Sequence, residues 1–246
     1  RSVPYEYVVP LLASRDRTEA WAARSLLQLD HPDEWKQDAF ASEDVNVFIQ
    51  SGTVLMTAWP SKEGALAVVS KSLELMQGFV DDDQFVDLLR LLQLSVLRGK
   101  LSPDDVPNLK TALAEEFPAN HHIMNREMIR LLVRLQVTSI KSRYLDYLES
   151  DLPESERIHL ATHLRFLNAD WMTDEKFKIF AQLKPSADAG NSVGEYLQSV
   201  ARDFSKEWKP EEDQLVIERG DAAPSAALEA ILRLPTDLSK DQIQEL

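Results

Sequence analysis

His159 and His163 lie four residues apart, the spacing at which two imidazoles on one helical face can meet a single metal ion. Leu160 follows His159 where a zinc-protease helix would carry its general-base glutamate, so even a bound metal would lack the usual base. Two neutral imidazoles with no added carboxylate or thiolate also make an under-liganded site. The pair therefore reads as ordinary boundary and surface histidines, and His121-His122 would join it only through the tertiary fold. Asp81-Asp82-Asp83 offers oxygens to calcium but lacks the alternating ligands, the central glycine and the closing glutamate of a calcium loop. Three carboxylates before an apolar run suit the positive end of a helix instead. Glu115-Glu116 falls at an exposed helix end and suggests no acid/base dyad. The chain has no cysteine, which removes disulfides, thiolate zinc sites, iron–sulfur ligation, covalent haem and cysteine nucleophiles. None of its seven glycines forms Gly-x-Gly, and no Gly-x-Ser-x-Gly elbow exists. No catalytic, cofactor-binding or metal-binding residue is assigned, and no cofactor is expected.

The charge pattern gives a sharper candidate. Residues 121–144 hold five basic side chains and one acid, Glu127, in a chain with 41 acidic and 27 basic residues and a formal charge of −14. Within that island Arg126, Arg130 and Arg134 stand one helical turn apart, a basic strip that could receive an acidic partner or an adjoining domain. The alternative is that these arginines brace neighbouring acidic helices. The acidic balance of the whole chain would repel phosphate backbones and anionic lipid surfaces, so nucleic acid and membranes are not expected partners. No apolar run approaches the roughly 20 residues of a membrane-spanning helix, and no signal-peptide pattern opens the sequence.

The elements that must position these residues read as helices. A hydrophobic share of 44% over 246 residues is enough for a real core. The helix running from His122 to Gln136 organises the rest, with Met128, Leu131, Leu132 and Leu135 on one stripe and a loop without an evident cap before it. Upstream, Tyr5-Glu6-Tyr7-Val8-Val9 alternates weakly and suggests a short extended arm stopped by Pro10. Helices are predicted from about Thr18, from Pro32 to Phe40, from Val45 to Trp59, from Ser61 to Met76, and from Phe85 to Leu97. The Val45/Val47/Ile49 alternation leaves a strand open for the third of these. Ser102-Pro103-Asp104-Asp105 supplies a cap, a first-turn proline and two early carboxylates for a helix through Phe117. After the central helix, Ser139, Pro153-Glu154 and Thr173-Asp174-Glu175 start three more, and another runs from about Val193 to Trp208. From Ser205 onward ten carboxylates face five basic residues, and the pieces are shorter.

Helix pairs thus begin near 43, 81, 122 and 153, a rhythm close to the roughly 40 residues of two-helix repeats. A non-repeating bundle is the alternative. The expected domains are an arm at 1–17, a helical-repeat region at 18–185, and a C-terminal helical cap or linker at 186–246 continuous with it. The polar stretch Pro185 to Ser192 is the best internal boundary. An arginine at position 1 and a helix just starting at Ser239-Lys240-Asp241-Gln242 suggest a piece of a longer chain.

Trp21-Ala22-Ala23-Arg24-x-x-Leu27, Leu88-Leu89-Arg90-Leu91, Phe117-Pro118-Ala119 with Asn125-Arg126-Glu127-Met128-x-Arg130-Leu131-Leu132-Val133-x-Leu135-Gln136, and Leu164-Arg165-x-Leu167-x-x-x-Trp171-x-Thr173-x-Glu175 carry a family likeness. Over roughly residues 18–205 the chain resembles the HEAT-like helical region of large multidomain proteins of planctomycete-type bacteria. In those proteins it lies between a sugar-dehydrogenase-type β-propeller and a c-type haem domain. The resemblance implies an all-α, HEAT-like superhelix, an extracytoplasmic or periplasmic parent, and a scaffolding role between redox modules. This chain has no Cys-x-x-Cys-His, and Gly190-Asn191 stands where the family often has paired glycines. The expected function is a non-catalytic scaffold or docking domain whose partner is another protein or an adjoining domain. The alternative is a helical domain of a periplasmic oxidoreductase or c-type cytochrome assembly, helping to form a site that other domains complete.

Overall fold

The computed structural model describes residues 3–183, 191–204 and 207–219. Their regular structure is entirely helical, with no strand among the described residues. In chain order the helices are α1 (Tyr5–Leu12), α2 (Arg17–Leu27), α3 (Lys36–Ala41), α4 (Val45–Ala58), α5 (Lys62–Met76), α6 (Asp82–Arg98), α7 (Pro107–Glu116) and α8 (His122–Arg134). There follow α9 (Lys141–Glu149), α10 (Glu154–Leu164), α11 (Thr173–Gln182), α12 (Asn191–Phe204) and α13 (Asp213–Arg219). Short 3-10 turns occupy Pro32–Glu34, Pro103–Asp105, Thr138–Ile140 and Pro210–Glu212.

Most helix starts follow the capping chemistry written in the sequence. The Asp16 carboxylate accepts from the backbone N–H of Thr18 and Glu19, Asp44 from Asn46 and Val47, and the Ser61 hydroxyl from Gly64. Asp81 accepts from the Gln84 N–H at 2.9 Å while the Gln84 side chain accepts from the Asp81 N–H, a reciprocal capping box. The acidic triplet is a helix start.

Four local expectations are corrected. The opening segment is a helix that passes through Pro10, because Val8 and Leu12, one turn apart, are both buried. Burying two such side chains stabilises by about 1.5–3 kcal/mol each, which offsets the roughly 3 kcal/mol an interior proline costs. The central helix is not capless: His121 Nδ1 accepts from the Met124 N–H at 3.3 Å. Buried Asn125 also ties the loop ahead of it, accepting from the Ala119 N–H and donating to the Ala119 carbonyl, both at 2.8 Å. Ser102 and Asp105 close on each other around a 3-10 turn, and the α-helix starts only at Pro107. Ser139 lies inside a 3-10 turn, and α9 starts at Lys141 without a side-chain cap. The Val45/Val47/Ile49 alternation is helical; Val45, Val47, Phe48 and Ile49 are all buried because α4 is covered from several sides.

The chain divides into two compact units, Arg1–Leu135 and Gln136–Leu246. The expected boundary at 185–192 falls largely outside the described residues. In the first unit α2, α4, α6 and α8 contact one another in succession. Against this row α1 packs on α2 and α4, α3 on α4, α5 on α4 and α6, and α7 on α5 and α8. In the second unit α10 packs against α9, α11 and α12. Its core is aromatic: Trp171, Phe177, Phe180, Phe204 and Trp208 meet edge to face, with centroids 5.5–6.1 Å apart. Tyr144 is fully buried there, its hydroxyl donating to the Leu160 carbonyl at 2.7 Å, and burial pushes the phenol well above its ordinary range.

Candidate functional site

The successive row α2, α4, α6 presents a cavity of about 740 Å³ in the first unit. Helix α2 spends Ala20, Ala23 and Leu27 on the core, which leaves Arg17, Trp21 and Arg24 on another face at i, i+4, i+7 spacing. These three line the cavity together with Asn46, Gln50 and Thr53 of α4, again one turn apart, and Gln84, Asp87 and Arg90 of α6. Trp21 keeps 61% of its surface exposed, which is unusual for the largest apolar side chain and places its ring in the mouth of the groove.

Each helix-to-helix seam in the row carries a polar tie. Between α2 and α4, Arg24 Nη1 donates to Gln50 Oε1. Between α4 and α6, Gln84 Nε2 donates to Asn46 Oδ1 at 3.3 Å, and Asn46 Nδ2 donates to the Ala13 carbonyl. Between α6 and α8, Glu127 accepts from Arg90 Nε at 3.2 Å and from Gln93 Nε2 at 2.8 Å, and from Arg130 one turn along its own helix at 2.6 Å. At the rim Arg15 reaches Asp81 at 3.2 Å, and Arg90 reaches Asp87 at 2.9 Å. The cations are therefore unequal. Arg15 and Arg90 have carboxylate partners, whereas half-buried Arg24 rests on a neutral amide with the charge of Arg17 nearby. Burial, followed by repulsion from Arg17, draws the Arg24 guanidinium below its ordinary value, against attraction from Asp87.

The arginine row expected on the central helix lies within α8, and its members differ in exposure. Arg130 and Arg134 are exposed and Arg126 is half-buried. Arg130 is drawn to Glu127, which is buried to 5% exposure. Burial by itself would raise the Glu127 carboxyl, but donation from Gln93, the charge of Arg130 and donation from Arg90 hold it below the usual glutamate value. A depressed carboxyl contributes stability above its unfolded value, and that contribution is lost as pH falls through the folded value. Glu127→Gln is therefore expected to cost about 2 kcal/mol at neutral pH, in the range for hydrogen bonds to a charged group. Arg90 and Arg130 keep about half of their side-chain surface in water, so the loss stays below that of a fully buried pair. Urea unfolding at pH 7 and at pH 3.5 checks this, the difference between wild type and variant shrinking at the lower pH.

His159 and His163 do meet, with centroids 4.3 Å apart, and His163 Nδ1 lies 2.8 Å from the His159 carbonyl oxygen. His121 and His122 stack on each other at 5.6 Å. Among the described residues no group of three or more His, Asp or Glu side chains could hold a metal ion. None of the described helices is long and apolar enough to cross a membrane.

The groove was readable only in part. Arginine, tryptophan, arginine at helical spacing on the non-core face of α2 was a signal in the sequence, and Arg24 with Trp21 belongs to the stretch on which the HEAT-like likeness rests. That α4 and α6 would complete a cavity beside it was not a local property. No family model, curated protein or solved structure matches this chain.

Proposed function

We propose that this chain is a non-catalytic, HEAT-like helical docking domain, and that its contact surface is the groove across α2, α4 and α6. The observation that carries this is the lining. Guanidinium and amide side chains stand at helical intervals on three adjacent helices around one exposed tryptophan, an arrangement suited to a chain segment with its own donors, acceptors and charges. A helical wall for a redox or substrate site would favour several aromatics, and Trp21 is the groove's single aromatic residue. The Arg126, Arg130 and Arg134 strip is the weaker candidate, because Arg130 is committed to Glu127. An adjoining domain of a longer, extracytoplasmic parent fits as partner as well as a separate protein does.

Display of random linear peptides tests this. Peptides selected on the wild-type chain are expected to bind with micromolar affinity and to weaken about tenfold or more on Trp21→Ala, the loss of one central aromatic anchor. Selection that yields no binder sensitive to Trp21→Ala or Gln50→Ala would remove the groove as a docking surface.

A further inference from the structure

The groove is electrically asymmetric, and resting on the docking function just proposed, its asymmetry identifies the ligand. Its α2 wall carries Arg17 and Arg24, its α6 wall Asp81, Asp83 and Asp87. Two of those aspartates are already held, Asp81 by Arg15 and Asp87 by Arg90. Arg24 is half-buried, makes its hydrogen bond to a neutral amide oxygen, and feels repulsion from Arg17 that attraction from Asp87 only partly offsets. A half-buried cation with an exposed like charge on the same helix face is stabilised by an added anion. A guanidinium has five N–H donors, and Gln50 Oε1 takes one of those of Arg24. Among the described residues a hydrogen-bond partner occupies only that donor, and the other edge of the guanidinium has the geometry to bind a carboxylate with two parallel bonds. Beside it Gln50 and Thr53, whose hydroxyl donates to the Ile49 carbonyl, line the same cavity at the spacing of successive turns.

We infer that the groove binds an extended peptide segment bearing an aspartate or glutamate, with that carboxylate on Arg24 and Arg17, the neighbouring peptide groups on Gln50 and Thr53, and an apolar residue on the face of Trp21. A carboxylate is favoured over a phosphate. The facing aspartates tolerate one negative charge better than nearly two, and the chain's overall charge of −14 adds to that bias. The volume of about 740 Å³ is within the ordinary range for a bound small ligand and accommodates a few residues in extended form.

The experiment is a fluorescence-anisotropy titration of the full chain with acetylated, amidated hexapeptides from a positional-scanning pool. Each position is fixed in turn as Glu, Gln or phosphoserine. One position is expected to prefer Glu over Gln by about tenfold or more, and over phosphoserine, with the preference falling steeply between 50 and 300 mM salt. Arg17→Gln, an exposed residue outside the core, should erase most of that preference without moving the melting temperature; Arg24→Gln should erase it fully. Equal binding of Glu and Gln peptides, still sensitive to Trp21→Ala, would overturn the carboxylate assignment and leave the docking function standing. Preference for phosphoserine would overturn it in favour of a phosphate. Concentration-dependent self-association abolished by Arg17→Gln would give the groove to a second copy. Binding by none of the peptides would remove both proposals.

Discussion

Glu212→Ala is expected to cost the second unit about 3–5 kcal/mol, the range for leaving a buried charge without its partner. Lys176 is 1% exposed, and its ammonium lies 2.5 Å from Glu212 Oε2. The same carboxylate group accepts from the Thr173 hydroxyl at 2.6 Å and from the Lys209 N–H at 2.8 Å. Removing it strands the cation beside the Trp208 ring, 5.6 Å away. A cation–π contact supplies only about 0.5–2 kcal/mol and already exists in the wild type, so it cannot compensate. Lys176→Met with Glu212→Leu should recover much of the loss, because an apolar pair removes both desolvation costs; the Lys209 N–H stays unsatisfied, so recovery is incomplete. Denaturant unfolding followed by tryptophan fluorescence gives the comparison. A single variant within about 1 kcal/mol of wild type would show that the lysine escapes to water.

The next residue behaves in the opposite sense. Burial, helped by the charges of Glu212 and Glu211, raises the Asp213 carboxyl, although it accepts from Trp208 Nε1 at 2.9 Å. For Glu212, burial is outweighed by Lys176, Thr173 and the Lys209 N–H, and the carboxyl is lowered. Ionised Glu212 therefore stabilises the fold above its unfolded value near 4.5, and that contribution disappears as pH falls through its lower folded value. Ionised Asp213 opposes folding at neutral pH, and the opposition fades as pH falls through its raised value. On acidification the two act in opposite directions and in different windows. Asp213 is relieved as pH falls through its raised value, whereas the Glu212 contribution is held down to about pH 4.5 and lost only below it, so wild-type stability should not fall on this account between pH 7 and pH 5. Asp213→Asn keeps an acceptor for Trp208 and removes the buried charge, and is expected to match or slightly exceed wild-type stability at pH 7.

What could be read from the sequence was what is local. Ser61 and the aspartates at 81–83 marked the starts of α5 and α6 in the sequence, and Asp16 and Asp44 cap α2 and α4 by the same chemistry, because a cap and its N–H partners lie within three residues. The helical class followed from periodicity for the same reason. The ties that join the groove's helices span 26 and 38 positions, the tie on to α8 spans 37, and nothing in a single helix says which neighbour it will face. Lys176 was hidden for that reason too: it precedes Phe177 on a helix whose stripe looks complete without it, and its partner is 36 residues away. Proline was over-read at Pro10, and serine was over-read at Ser102 and Ser139, where 3-10 turns absorb the signal before the α-helix starts.

The end of α6 shows a further departure, and it carries the second large effect. A glycine closing a helix ordinarily takes the left-handed conformation, yet Gly99 has φ −78° and ψ −6°, and Lys100 takes the positive φ, 52°. The Leu101 N–H then reaches back to the Val96 carbonyl at 3.0 Å. Gly99 is required for space: a Cβ there would sit 2.2 Å from the Cβ of Ala65 on α5 and 2.8 Å from the Ser95 carbonyl oxygen. Carbon atoms in contact stand about 3.5–4.0 Å apart, so α5 and the end of α6 would have to separate by more than 1 Å along a buried seam. Gly99→Ala is therefore expected to cost about 3 kcal/mol, at the upper end for overpacking. Gly52 is the contrast, since its Cβ would meet only the flexible end of the Leu91 side chain, at 2.8 Å. Gly52→Ala should cost far less, because Leu91 can change rotamer and alanine favours the helix by about 1 kcal/mol. Ala65→Gly combined with Gly99→Ala removes the methyl–methyl clash. The double variant should recover more than half of the Gly99→Ala loss, the remainder reflecting Ser95 and the weakened α5 helix. Additive losses in that cycle, measured by urea unfolding, would place the cost of Gly99→Ala in the backbone of α6 and not in its contact with α5.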